Sequence, residues 1–114
     1  MEGLQQLPSS LQVTSIGARE EWIVKLAGEF DLASVDLVQH EIEKALGSDV
    51  ASVVVDLTQL DFIDSSGLNV LVQADVKSRV DSNRLTFRGP VRHQVKNVLR
   101  LTELDHQLRL DETG

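Results

Sequence analysis

The chain has 114 residues, 41% hydrophobic and 25% charged, with no cysteine and a formal net charge of −7. That length suits one domain, able to bury about 65% of its unfolded surface. The lack of cysteine excludes disulfides, thiolate metal sites and thiol catalysis. The negative charge argues against nucleic acid as a direct partner, because a phosphate backbone calls for a basic footprint.

Residues 1–10 include Gln5, Gln6, Pro8, Ser9 and Ser10 and read as a flexible tail, with residues 11–112 as a single domain. The start lacks a basic stretch followed by an apolar one, and no apolar run approaches the roughly 20 residues that span a bilayer, so a cytoplasmic location is expected. Leu11-Gln12-Val13-Thr14 alternates and predicts a strand. Gly17 to Glu21 reads as a turn, and Trp22, Val24 and Leu26 alternate with Ile23, Lys25 and Ala27 in a second strand. The short connection makes these two strands a hairpin.

Gly28-Glu29-Phe30-Asp31 breaks the alternation. From Ser34, the residues Val35, Val38, Ile42, Ala45 and Leu46 recur at helical spacing, with Asp31 or Ser34 to cap the helix and Gly47 to end it. Val53-Val54-Val55 is continuous, as in a strand buried on both faces, within an apolar run that reaches Leu57. A second helix runs from the Asp64-Ser65-Ser66-Gly67 turn to about Ser78, with Leu68, Leu71, Val72 and Val76 as its apolar stripe. Asp81-Ser82-Asn83 is turn chemistry, and Leu85-Thr86-Phe87 is a short strand. Gly89-Pro90 introduces a third helix, with Pro90 in its first turn and Val91, Val95, Val98 and Leu99 inward. Leu104 fits a short turn, and Leu108 and Leu110 alternate as a last strand. The order β-β-α-β-α-β-α-(β) predicts an α/β fold with a mixed sheet, the hairpin antiparallel and the crossovers parallel and right-handed.

Charge is unevenly spread. Lys77, Arg79, Arg84, Arg88, Arg92, Lys96 and Arg100 fall within residues 77–100 beside one acid, Asp81, leaving 4 basic and 17 acidic residues elsewhere. Solvated faces explain this, and an acidic face that steers a partner at encounter is the sharper alternative.

Little catalytic chemistry is legible. The Gly-x-Ser-x-Gly elbow of serine hydrolases is half present: Gly67 follows Ser65 by two, but Ile63 precedes it. Nothing ties His40, His93 or His106 to Ser65. No glycine-rich nucleotide loop occurs. Asp56, Asp61 and Asp64 stand near one strand end and could gather oxygen ligands, though turn and strand-end roles explain them better, and no metal site is assigned. Asp64-Ser65-Ser66-Gly67 remains. A serine where a strand hands over to a helix either caps the helix or carries a phosphate that the positive helix end tolerates. A phosphoryl group would add about −1.5 to −2 charges beside Asp64 and repel an acidic partner surface.

Three segments in order carry a resemblance. Leu26-Ala27-Gly28-Glu29-Phe30-Asp31 is similar to the Gly-Glu-Leu-Asp turn of STAS domains. Val53 to Leu57 followed by Leu60-Asp61-Phe62-Ile63-Asp64-Ser65-Ser66-Gly67-Leu68 resembles the same family's central strand and switch turn. Val98 to Leu104 resembles its closing helix and Thr-Gly-Leu turn. The resemblance covers about residues 11–110 and implies a STAS-like mixed sheet with helices packed mainly on one face. It implies an anti-sigma-factor antagonist, not an enzyme, that binds an anti-sigma factor with serine-kinase activity and is switched off by phosphorylation, with a serine phosphatase to reset it. By resemblance the phosphorylated residue is Ser65, with Ser66 the fallback. Asp31, Asp64, Ser65, Ser66, Gly67 and Asn69 then shape the partner-binding face. No cofactor is implied, since ATP belongs to the kinase. The alternative is a STAS module serving as scaffold, sensor or small-molecule-binding unit in a larger signalling or transport complex. Two positions depart from the pattern. Asn69 stands where many members have glycine, and Glu103 replaces the glycine of the closing turn. A positive φ there would strain Glu103 and is expected to alter the turn.

Overall fold

The computed structural model describes residues 11–81, 84–104, 108, 110 and 111. The elements run β1 (Leu11–Gly17), β2 (Glu21–Phe30), a 3-10 turn (Leu32–Ser34), α1 (Val35–Leu46), β3 (Ser52–Ile63), α2 (Ser65–Asp81), β4 (Leu85–Arg88), α3 (His93–Leu101) and β5 (Leu110–Asp111). The sheet order is β1-β2-β3-β4-β5, with β1 antiparallel to β2 and every later pair parallel. This is the expected mixed α/β architecture. The expected turn at Ser82 and Asn83, the tail at residues 1–10, residue 112 and His106 lie outside the described residues.

The core lies on one side of the sheet. Val24 pairs with Val55 and Trp22 with Val53, and these pair onward with Phe87 and Leu85. Paired residues point the same way. Val24, Val53, Val55, Leu85 and Phe87 join one buried cluster with Val38, Ile42 and Ala45 of α1, Leu68 and Leu71 of α2, and Val95 and Leu99 of α3. Val54 points oppositely. It too is buried, but outside that cluster, in register with Ile23 and Thr86. Next to it Lys25, Asp56, Arg88 and Asp111 stand in register across four strands with alternating charge. Opposite charges on neighbouring strands attract, and Arg88 lies 3.9 Å from Asp56.

Three elements differ from the sequence reading. β3 runs beyond the apolar run Val53–Leu57 and continues to Ile63, so Asp61, expected in a turn, lies within the strand. A bulge lets it do so: Lys25 pairs with Asp56 but Ala27 with Gln59, so β3 carries one extra residue. The Asp56 carboxylate pins the bulge, accepting the Thr58 N–H at 2.9 Å and the Thr58 hydroxyl at 2.6 Å. The inward stripe of α2 is Leu68, Leu71, Asp75 and Ser78, while Val76 is exposed. Specific partners outweigh hydrophobicity here. Ser78 Oγ accepts the Leu85 N–H at 3.0 Å, and Asp75 pairs with Arg79 at 3.0 Å. Finally, α3 begins at His93, three residues after Pro90, and the Gly89–Pro90 peptide is cis.

The closing turn keeps its shape despite Glu103. The Leu104 N–H donates to the Leu99 carbonyl at 2.9 Å and the Glu103 N–H to the Arg100 carbonyl at 3.1 Å. That is the Schellman pattern, which places the residue after the cap in the left-handed region. Glu103 takes φ 61°. The expectation of an altered turn is therefore corrected: paired carbonyls hold the geometry, and the Glu103 backbone takes the strained left-handed conformation.

Candidate functional site

Two parallel strands finish together. Phe30 ends β2, Ile63 ends β3, and they are register partners. An aspartate follows each, and each starts a helical turn. Asp31 Oδ1 accepts the Ala33 N–H at 3.0 Å and opens the 3-10 turn. Asp64 Oδ1 accepts the Gly67 N–H at 3.0 Å, and the Asp64 carbonyl accepts the Leu68 N–H at 2.9 Å, which opens α2. The Asp64 N–H donates to the Phe30 carbonyl at 3.2 Å, so the two turns are joined through the backbone.

The capping role thus falls to Asp64. Ser65, expected also to help begin the helix, is the first residue inside it. A side-chain oxygen at the N-cap satisfies an orphan N–H of the helix end, which leaves the Ser65 hydroxyl without that task. Ser65 is exposed and Ser66 half-buried. Gly67 is buried for a different reason. A Cβ there would stand 2.8 Å from Phe30 Cγ and 2.9 Å from the Phe30 carbonyl oxygen. Only glycine lets α2 approach the end of β2 this closely. Gly28 has its own requirement, a φ of 110° at the second register shift of β2.

Beside the turn runs a groove of ≈ 410 Å³ between α1 and α2. Val35, Ile42, Leu46, Val70 and Ala74 give it an apolar floor, and Ser66, Asn69, Gln73 and Lys77 form one polar rim. Gln39 and Glu43 stand on the other, with Leu32 at the end, 72% exposed. The structure brings together Asp31, Asp64, Ser65, Ser66, Gly67 and Asn69 around this end of the fold. Leu32, Gln39, Glu43 and Gln73 were not singled out from sequence, and Lys77 was named there only as part of the basic run. The four-residue spacing of Gln39 with Glu43, and of Asn69, Gln73 and Lys77, was the available signal, since i and i+4 share a helix face.

Other candidates disperse. Asp56 serves the bulge, Asp61 pairs with Arg92, and Asp64 caps α2. His40 is exposed on α1, and His93 lies 3.2 Å from Asn97. The basic run is largely occupied within the fold. Arg79, Arg88 and Arg92 face Asp75, Asp56 and Asp61, and Arg84 donates to the carbonyls of Leu46, Ser48 and Val50 at the end of α1.

The family model described as "Mlab, STAS domain" matches residues 16–110, most of the chain. The chain belongs to the STAS family. No curated protein sequence matches it. Among solved structures this STAS domain is similar to an anti-sigma factor antagonist from Mycobacterium paratuberculosis. Identity is 21%, the match covers 92% of this chain and 88% of that one, and the TM-score is 0.72. It is similar to the anti-sigma factor antagonist SpoIIAA in unphosphorylated form, at 21% identity over 90% and 88% of the two chains with TM-score 0.68. The phosphorylated form of SpoIIAA, a Bacillus cell fate determinant, gives 20% identity over 90% and 91% with TM-score 0.63. At these identities the likeness establishes the fold. Among the described residues, no helix of this STAS domain is long and apolar enough to cross a membrane.

Proposed function

We propose that this STAS domain, a single unit over residues 11–112, is an anti-sigma-factor antagonist that works by partner switching. Unphosphorylated, it binds a cytoplasmic anti-sigma factor that is also a serine kinase. Phosphorylation at Ser65 releases that partner, and a serine phosphatase restores binding. The chain is a regulator rather than an enzyme, and ATP is bound by the kinase.

One observation carries the reading: Asp64 caps α2, and the Ser65 hydroxyl is exposed beside the cap. A serine needed to hold the helix would be costly to modify. Here a phosphoryl group can be added and removed while the helix keeps its cap. The first N–H groups of the helix and its dipole favour the added charge, so the domain stays folded in both states. The partner's contact changes instead, because the charge arrives next to Asp64 and at the end of the α1–α2 groove. That SpoIIAA has been seen in both unphosphorylated and phosphorylated forms on this fold supports the reading. The groove favours a protein partner over the alternative of a small-molecule module. Its apolar floor between polar rims, with Leu32 exposed at one end, fits an amphipathic segment.

The test is incubation with an anti-sigma-factor serine kinase from the same organism and ATP, followed by intact mass and peptide mapping. One phosphate is expected on Ser65, none on Ser65→Ala, and normal labelling of Ser66→Ala. Ser65→Asp is expected to bind the kinase more weakly. Undiminished labelling of Ser65→Ala would sink the assignment.

A further inference from the structure

β3 pairs with β4 over Val53 to Asp56, and among the described residues no strand flanks the later half of β3 on that side. Ile63, its last residue, is fully buried, and an unpaired buried peptide group is costly. Helix α3 supplies the partner. Gln94 Oε1 accepts the Ile63 N–H at 2.9 Å, and Gln94 Nε2 donates to the Ile63 carbonyl at 3.1 Å. A primary amide offers the same donor and acceptor as a peptide group, so the side chain stands where one residue of a further strand would. Two residues earlier, Arg92 donates to the Asp61 carboxylate and, at 3.2 Å, to Gln59 Oε1. The outer half of β3 is thereby held from both sides. Phe30 of β2 pairs with Ile63 and accepts from Asp64 on one edge, and the first turn of α3 grips the other.

We infer that Gln94 is a positioning residue for the switch turn. By pairing with both polar groups of Ile63 it fixes the direction in which the chain leaves β3. It thereby fixes where Asp64 meets the Gly67 N–H and where Ser65 is presented. α3 becomes a lever on a site it does not touch through its own backbone. The positional claim stands on geometry. Its consequence for signalling rests on the Ser65 reading, because a slackened turn would present that hydroxyl poorly to a kinase.

The test is amide hydrogen exchange followed by NMR on the full chain, comparing the native protein with Gln94→Met and Gln94→Glu at matched pH. Gln94→Met keeps the length of the side chain and removes both bonds. Protection at Ile63, Asp64 and Gly67 is expected to fall about tenfold at every pH, the scale of losing a buried hydrogen bond, while Val24 and Ile42 keep native protection. Gln94→Glu adds a pH signature. Below the ordinary glutamate pKa of about 4.3 the neutral carboxyl can still donate to the Ile63 carbonyl; above it the carboxylate accepts only and faces that carbonyl oxygen. The deficit against native is therefore expected to be small near pH 4 and to grow toward pH 7. Native protection at Asp64 and Gly67 in Gln94→Met overturns the proposal, as does an equal loss at Val24 and Ile42 or a deficit in Gln94→Glu that does not change with pH. Exchange needs no kinase. A native chain left unlabelled by the kinase refutes the Ser65 reading and leaves this one standing.

Discussion

The turn that opens α2 and the turn that closes α3 solve opposite problems. At the first, every residue type agrees with its position. Aspartate caps, serine is exposed, and glycine lies where a Cβ would strike Phe30. At the second, a glutamate holds φ 61° in a pattern that favours glycine. Among the described residues, the non-glycine residue in the left-handed region sits in the closing turn, away from the proposed switch. A switch that must accept and lose a phosphate without unfolding gains from a relaxed frame. The closing turn needs only to redirect the chain, and its two paired carbonyls hold it despite the side chain.

Four substitutions break or sharpen that contrast. The largest effect is expected from Gly67→Ala. Alanine would favour the helix by up to about 1 kcal/mol, but the atoms it meets are the ring root and carbonyl of a fully buried Phe30, which cannot swing away. The net result is a loss of about 1–3 kcal/mol, read from the midpoint of urea unfolding. Asp64→Ala removes the cap and is expected to cost about 1 kcal/mol in the same measurement. A loss no greater than that of Ser65→Ala would mean that serine, not aspartate, holds the helix.

Glu103→Gly should go the other way, raising stability by about 1 kcal/mol as the left-handed strain is relieved, partly offset by the freer unfolded chain. Thermal unfolding shows whether the midpoint rises; a fall would mean that Glu103 makes stabilising contacts that outweigh its backbone. The smallest effect is expected from Ser65→Ala, within about 0.5 kcal/mol of native. Because stability hardly moves, lost phosphorylation in that variant can be attributed to the missing hydroxyl and not to a damaged fold.

Much of this was legible in the chain. Alternation in residues 11–14 and 22–27 marked the hairpin, and Val35, Val38, Ile42 and Ala45 marked α1. The aspartate, two serines and glycine at residues 64–67 marked the candidate site. What was misread depended on specific polar partners or on strand pairing, which hydrophobic periodicity does not report. Asp75 and Ser78 take inward positions on α2 because Arg79 and the Leu85 N–H are there to meet them. The tail of β3 is strand because a bulge brings it back into register with β2. Gln94 carries no local signal at all, since its amide matters only once α3 has been laid beside Ile63, 31 residues earlier.

The sequence by itself determined the order of elements, the mixed sheet and the presence of a polar turn between a strand and a helix. Local periodicity and turn chemistry act over a few residues, and those features are local. Tertiary structure showed which candidate in that turn is the cap: Asp64 takes the Gly67 N–H three residues on. It joined Asp31's turn to Asp64's through the Phe30 carbonyl, and it placed a groove alongside. Those outcomes depend on which backbone groups come within hydrogen-bond reach after the sheet has formed. No local window of sequence contains both Phe30 and Asp64, or both sides of the groove.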